Sequence, residues 1–505
     1  MKIPNNIIDI FSPFWTLHSW GYYWRPLVKL IYNLLLLVNG FHPFLFHLVA
    51  LLLYSVVPGL VALSANKIGF DRRTAILSGL IFAILPSHEL HAAWLSDMVE
   101  NLSAIFILLT SIAIIKLLKE RVENLKDYFF VVIIFLLALL SKEIAFALLI
   151  LPLLILLTIR PIENSTTKKA FIITFTMILT FSIYMVYRIV IIGSNPFGAH
   201  HFHDSNFLSM IKNFLLYIPV SFVSPDWLEF LFLKFSFFQL IIGGIFLTIA
   251  VILLLIKIYP NIQNRDKPIL LFSFGWYLIF IIPVLPTFMR WYAFVASIGL
   301  IWIISFFIIK MADRFFSKKY FYSIGTIILI LLFYSNITTS LNWIEAGQKM
   351  ERAILNIHQN KDYISSDTIV VWGMPDKFKR VSLMKLGAQQ AFDYALIDKR
   401  IELISPIKSE IILSNSQIGL IVTSDSSFTL ELEGGRFLQE GGKSRKVIIE
   451  EELNYSDDEF DLKVMNKVDE SVYPYSKCEV VISKKMQNYF HLYFDGEDFR
   501  RIKLE

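Results

Sequence analysis

Residues 128–159 read YFFVVIIFLLALLSKEIAFALLILPLLILLTI, an apolar run whose only charges are Lys142 and Glu143 and whose flanks are Lys126 and Arg160. By itself the run fits either one long buried helix or two passes joined at Ser141-Lys142-Glu143. The flanks decide. Both are basic, short Lys/Arg-rich loops stay on the cytoplasmic side of a membrane, and a segment that starts and ends on one side must cross twice. A turn on the outer side, carrying Lys142 and Glu143, follows.

The same reasoning extends in both directions. Apolar runs predict helices near 43–65, 74–88, 99–117, 127–140, 143–159, 170–190, 235–256, 268–286, 291–311 and 321–340. Basic residues gather in alternate connections: Lys67/Arg72/Arg73, Lys116/Lys119/Arg121/Lys126, Arg160/Lys168/Lys169, Lys257/Arg265/Lys267 and Lys310/Arg314/Lys318/Lys319. These five loops are expected in the cytoplasm, which puts both ends of a ten-pass chain outside. The first twenty residues, with Asp9, Trp15, His18 and Trp20, hold no signal-like apolar core. A chain that begins outside in this way is expected to lack an upstream transmembrane helix, by truncation or by a start at an internal Met.

Composition agrees. Of 505 residues, 55% are apolar and 15% aromatic, with 45 Phe, and the mean hydropathy is +0.59. An ordinary soluble protein is excluded. Cys478 is the single cysteine, so neither a disulfide framework nor a Cys-rich zinc site is available. From Gln348 onward about 22 basic residues face about 26 acidic ones, leaving about 25 and about 16 upstream. The net charge of +5 therefore sums two opposite regions and implies no nucleic-acid partner.

After about Asn342 the pattern changes to alternating or β-branched segments at 367–372, 401–406, 410–422, 427–433, 446–453 and 478–483, with Gly pairs at 434/435 and 441/442 and a helical stretch near 382–396. The expected fold is thus an α-helical polytopic membrane protein: an outer loop with an interfacial helix over 1–42, a multipass domain over 43–341, and an extracytoplasmic α+β domain over 342–505.

Arg25, Lys142, Arg188 and Arg290 all fall on the side where few cations are expected, each beside apolar sequence. Such placements are costly without a partner. Each alone could be a side chain reaching for lipid headgroups; four together point to an anionic ligand at the outer interface. The outer loops carry Trp24-Arg25-Pro26-Leu27 and His42-Pro43, then Pro86-Ser87-His88-Glu89-Leu90-His91, Trp94-Leu95-Ser96-Asp97 and Glu100, then Leu139-Leu140-Ser141-Lys142-Glu143.

In order, WRPLVKLIYNLLLLVNGFHPFLFHLV, LPSHELHAAWLSDMVENL, LLSKE and RWYAFVASIGL resemble the GT-C superfamily of polyprenyl-phosphate-sugar-dependent glycosyltransferases. The likeness is to the branch of the protein O-mannosyltransferases and the transmembrane, tetratricopeptide-containing mannosyltransferases, and it spans about Trp24 to Leu300. It sets Arg25, His88, Glu89, Trp94, Glu100, Lys142, Glu143, Arg290 and Tyr292 on positions of the family's pattern. There are departures: Leu85-Pro86 replaces His-Pro, Ser96-Asp97-Met98 replaces Ser-Gly-Arg, the tetratricopeptide tail is absent, and the acidic pair expected ahead of Arg25-Pro26 has no counterpart but the isolated Asp9.

The resemblance implies transfer of a hexose, mannose in that branch, from a polyprenyl-phosphate donor to a protein, lipid or polysaccharide acceptor, at the outer face of a bacterial inner membrane. Such a reaction passes through an oxocarbenium-like state and needs a carboxylate to take the acceptor's proton; its lipid phosphate leaving group needs cations rather than an acid. Glu89 and Glu100 are the candidate catalytic carboxylates. Arg25, Lys142, Arg188 and Arg290 would hold the phosphate, and His88, His91, Trp94, Glu143 and Tyr292 would contact substrate. The sequence leaves the cofactor unknown. His88/Glu89/His91 and His200/His201/His203/Asp204 have metal-like composition, but a divalent metal is not expected: the first set lacks an obvious third ligand at its spacing, and the loop histidines of the second read as acceptor-contacting or solvated. The acidic run 450–459 reads as a solvated face. The alternatives are an O-antigen-type ligase using diphosphate-linked donors, a transporter, or a catalytically dead membrane scaffold.

Overall fold

A computed structural model of the chain describes residues 10–14, 24–40, 42–119, 124–159, 164–193, 206–222, 262–315, 318–364, 366–379, 381–383, 388–396, 402–411, 416–441, 446–448, 452–456, 458–467 and 475–504. Two compact units divide it, Met1–Ile337 and Thr338–Glu505.

The first unit is helical: α1 (Pro26–Asn39), α2 (Pro43–Ile68), α3 (Arg72–Ile84), α4 (Glu89–Ala93), α5 (Met98–Lys119), α6 (Leu125–Ser141), α7 (Leu151–Thr158), α8 (Asn164–Val186), α9 (Phe207–Val220), α10 (Asp266–Ile281) and α11 (Ala293–Phe315). Among the described residues five helices are long and apolar enough to cross a membrane, six if α3 and the bent segment after it count as one span. The expected helix at 235–256 and the His200 cluster lie outside the described residues.

Starts are set locally. Pro43 opens α2 behind His42, Asp71 accepts from the amides of Arg73 and Thr74 to cap α3, and Asn124 accepts from Lys126 to cap α6. Helices touch through small residues. A Cβ added to Gly79 would lie 2.7 Å from the Pro58 carbonyl oxygen, and one added to Gly299 would lie 2.2 Å from that of Ser273, so α2 and α3, and α10 and α11, approach closely. The Leu95–Lys119 span, 72% buried, is the centre of the bundle.

Three helices differ from expectation. The single helix expected over 74–88 stops at Ile84; Leu85 is extended and the chain turns by 53° into Pro86–Ala93, because a residue before proline avoids the helical region. The pass expected over 143–159 begins as a 3-10 stretch, Glu143–Ile150, before α7. The last helix, α12 (Lys318–Gln359), runs well past the expected end at 340.

The second unit is a β-rich fold. The last part of α12 and the short α13 (Ala388–Ala395) accompany twelve strands. A mixed sheet has the order β12 (Phe499–Arg501), β11 (Phe490–Phe494), β1 (Thr368–Phe378), β3 (Glu402–Ile411), β6 (Gly435–Gly441), β7 (Lys446–Ile448), with β2 (Val381–Ser382) beside β1. β1 is parallel to both β11 and β3. An antiparallel sheet follows the order β4 (Ile418–Ser424), β5 (Ser427–Glu433), β10 (Tyr475–Ile482), β9 (Phe460–Lys467), β8 (Glu452–Ser456). The alternation of β1 builds two cores: Ile369 and Val371 pack with Ala346, Ala353, Ile357 and Phe392 of the helices, whereas Val370 and Trp372 pack with Phe428, Leu430, Val464 and Val480 of the antiparallel sheet. Strands β2, β6, β9, β11 and β12 fall outside the strand segments expected from sequence, β2 at the edge of the stretch expected to be helical.

Candidate functional site

Charged residues of the first unit gather at opposite ends of the bundle. The head of α5, the foot of α6, the turn after α3, the foot of α8 and the segment before α11 form one end, and all eleven candidate residues lie there. Among the described residues of the basic clusters, Arg73 pairs with Asp313 at 2.9 Å and Lys310 with Asp266 at 3.3 Å at the other end.

At the candidate end every expected cation meets a carboxylate. Glu143 is shared by Arg25 (Nε to Oε2 3.2 Å) and Arg188 (Nη2 to Oε1 3.8 Å). Arg188 is fully buried, sits in a π-helical turn, Tyr187–Ile191, and donates to the Tyr184 hydroxyl at 3.2 Å; such turns often mark functional positions. Lys142, in an extended break between α6 and the 3-10 stretch, donates to Glu100 and lies 4.6 Å from the centre of the Tyr292 ring. Arg290 donates to Glu89 at 2.8 Å. The side chains of Glu89, Glu100 and Lys142 are each 5% exposed. Each of these cations is thus paired with a carboxylate, and for the buried Lys142 and Arg188 such a partner is required.

The pairs form one cluster. Burial disfavours the Arg25 charge, but Glu143 and, beyond it, Glu100 outweigh that and raise its pKa above the usual value. His91 is within the electrostatic reach of Glu100, Lys142 and Arg290. Arg25, Glu89, Lys142 and Arg290, from segments far apart in sequence, are thereby brought together.

The two histidines are buried between helices. His88 faces the Phe82 carbonyl through Nδ1 at 3.1 Å and the Ser297 hydroxyl through Nε2 at 3.4 Å. Its two ring nitrogens thus face protein partners. His91 packs its ring on Phe294 with centroids 3.8 Å apart, and its Nδ1 lies 3.2 Å from Asp97 Oδ2. Trp94 meets Trp291 edge-on at 5.6 Å, so the second and last patterned loops touch.

Several supports were not singled out in the sequence. Asn101 donates to the His91 carbonyl at 2.6 Å, fixing the bent turn to the head of α5. Tyr217 of α9 donates to the Thr287 carbonyl at 2.8 Å and accepts from the Met289 amide at 3.1 Å, while Asn213 donates to the Leu285 carbonyl at 2.7 Å. They brace the segment that delivers Arg290. Buried hydroxyls and amides inside apolar helices were their only sequence signal. A cavity of about 140 Å³ lined by Leu109, Lys116, Asp127 and Phe130 lies toward the other end of α5 and is separate from these ion pairs.

No protein-family model, no curated protein and no solved structure matches this chain.

Proposed function

We propose that this chain is an integral-membrane glycosyltransferase of the GT-C kind, a bundle of about ten helices that moves a hexose from a polyprenyl-phosphate donor to a protein, lipid or polysaccharide acceptor. One observation carries the reading: four cations and three glutamates from distant segments meet at the end of the bundle opposite the basic loops. By the positive-inside rule that end faces outward, which puts the reaction on the extracytoplasmic side of a bacterial inner membrane, with membrane lipids and the donor lipid as partners.

In the reaction the anomeric carbon loses its bond to the lipid phosphate oxygen, which leaves with the electron pair, and gains a bond to the acceptor oxygen from the opposite face. The departing phosphate is met by Arg25, Arg188, Lys142 and Arg290, whose present carboxylate partners occupy them until donor binds. Guanidinium groups suit this because their planar fork matches phosphate. Glu89 and Glu100 keep these cations in register, and His88, His91, Trp94, Glu143 and Tyr292 shape the sugar and acceptor side.

The test is transfer of labelled hexose by the full chain in proteoliposomes, with monophosphate- and diphosphate-linked donors offered separately. Turnover restricted to the monophosphate donor, with a donor KM raised at least about tenfold in Arg290→Ala, fits the loss of a charge-assisted contact. Exclusive use of diphosphate donors would favour the O-antigen-type ligase. A second reading rests on the same ion pairs: because each cation already has a carboxylate, the cluster could serve only to hold helices together, as in a catalytically dead scaffold. Absence of transfer with every donor, joined to loss of folding in the same variants, would favour it.

A further inference from the structure

Among the carboxylates at the candidate end, three are engaged by Lys or Arg: Glu143, Glu100 and Glu89. Asp97 is the exception. It is 4% exposed, sits in the 3-10 turn Leu95–Asp97 at the head of α5, and among the described residues no Lys or Arg nitrogen bridges to it. Its neighbour is His91, whose Nδ1 lies 3.2 Å from Oδ2, yet both atoms are buried without a hydrogen-bond partner. Asp97 stands three residues before Glu100 at the head of α5 and beside the His91 ring that packs on Phe294.

A carboxylate ion-paired to a guanidinium or ammonium is a weaker proton acceptor than one that is not. A buried polar atom left unmatched is costly, and a protein that keeps one at the centre of a charged site keeps it for use. We infer that Asp97 is the proton acceptor for the incoming hydroxyl and that His91, wedged on Phe294 and tied at its carbonyl by Asn101, is the positioning residue that fixes the carboxylate. This rests on the transferase reading above. The resemblance assigns no role to Asp97, which stands where the family's pattern departs, and for His91 it implies only contact with substrate.

The step balances simply. The acceptor O–H bond breaks, its proton passes to Asp97, the oxygen bonds to the anomeric carbon, and the lipid phosphate leaves with the electrons of the broken C–O bond. Asp97 then returns the proton to water.

Azide separates a base from a structural residue, since it attacks as an anion and has no proton to lose. In proteoliposomes carrying the full chain, Asp97→Asn should lower transfer to a hydroxyl acceptor by about 100- to 10,000-fold, the range of general-base effects, with donor KM within about twofold. Formation of glycosyl azide at high azide should persist within about threefold of wild type, and Asp97→Glu should recover part of the hydroxyl transfer. His91→Gln should lower kcat for the hydroxyl acceptor less than Asp97→Asn does. Hydroxyl transfer by Asp97→Asn within threefold of wild type overturns the inference, as does an equal loss of hydroxyl and azide transfer. A wild-type chain inactive with both acceptors overturns the transferase reading beneath it as well.

Discussion

The two ends of the helical unit hold the same residue types in opposite circumstances. At one end Arg73 and Asp313 pair with side chains 59% and 49% exposed; at the other Lys142 and Glu100 pair at 5% each, and Arg188 is wholly enclosed. Water and counter-ions already stabilise the first pair, so it adds little. The second has given up its hydration and depends on its partner. Charge at the exposed end is solvated with or without its partner, whereas charge at the enclosed end is tolerated only because of it.

Breaking the enclosed pair is the strongest way to test that contrast. Glu100→Ala leaves Lys142 buried and unmatched, and should cost about 3–5 kcal/mol of stability, read as a lowered midpoint of thermal unfolding in detergent. Joining it to Lys142→Met should restore much of the loss. A Glu100→Ala protein as stable as wild type would refute the dependence.

Packing supplies the next largest effect. Gly299→Val puts methyl groups where the Ser273 carbonyl oxygen already lies 2.2 Å from the first added atom, and overpacking of this kind costs about 1–3 kcal/mol or more. The midpoint should fall, and one unchanged would mean that α10 and α11 are less closely apposed than described.

A buried histidine in the second unit tests the contrast where no ion pair is involved. His491 accepts from the Trp372 indole N–H at 3.0 Å through Nδ1 and donates to the Met486 carbonyl at 2.8 Å through Nε2, which requires the neutral ring. Burial lowers its pKa despite the Met486 contact. The unfolded chain therefore binds the proton more readily. Stability is full above the unfolded value of about 6.5 and is lost as pH falls below it, by at most about 1.4 kcal/mol per pH unit. Denaturation followed by tryptophan fluorescence at pH 7.5 and 5.5 should show the drop, and His491→Gln should flatten it. A midpoint equal at both pH values in wild type would contradict the assignment.

Arg73→Ala completes the series. Its exposed pair with Asp313 predicts a change within about 0.5 kcal/mol and no effect on transfer. A change as large as that from Glu100→Ala would erase the difference between the ends.

Much of the helical unit is legible because its helices are long apolar runs and charged residues mark the breaks between them. The flanks Lys126 and Arg160 resolved 128–159 into two segments, and the chain does break at Lys142. The bend at Leu85–Pro86 was written in the proline, yet the apolar run 74–84 continued through it and concealed the stop. The past-end extension of α12 escaped because its later turns are amphipathic and pack Ala346, Ala353 and Ile357 into the second unit's core; an apolar count registers only the uniformly apolar part. In the β-rich unit, β9 mixes charged and apolar residues, which dilutes its alternation, and the five-residue β11, FHLYF, is too short and too uniformly apolar to alternate. At the candidate site, residue identity was readable but partnership was not. Nothing in sequence spacing says that Glu143 serves both Arg25 and Arg188, or that Asp97 lies beside His91, since these contacts depend on which helix ends meet.

The central claim is that a lipid-borne phosphate binds where those helix ends meet. A polyprenyl-phosphate photoprobe irradiated with the full chain in proteoliposomes, followed by peptide mapping, tests it directly. The account predicts labelling within 24–36, 88–97 and 285–292 that is displaced by excess polyprenyl phosphate and lost in Arg290→Ala. Labelling confined to the end that carries Arg73 and Asp313, or labelling that excess polyprenyl phosphate leaves in place, would contradict it.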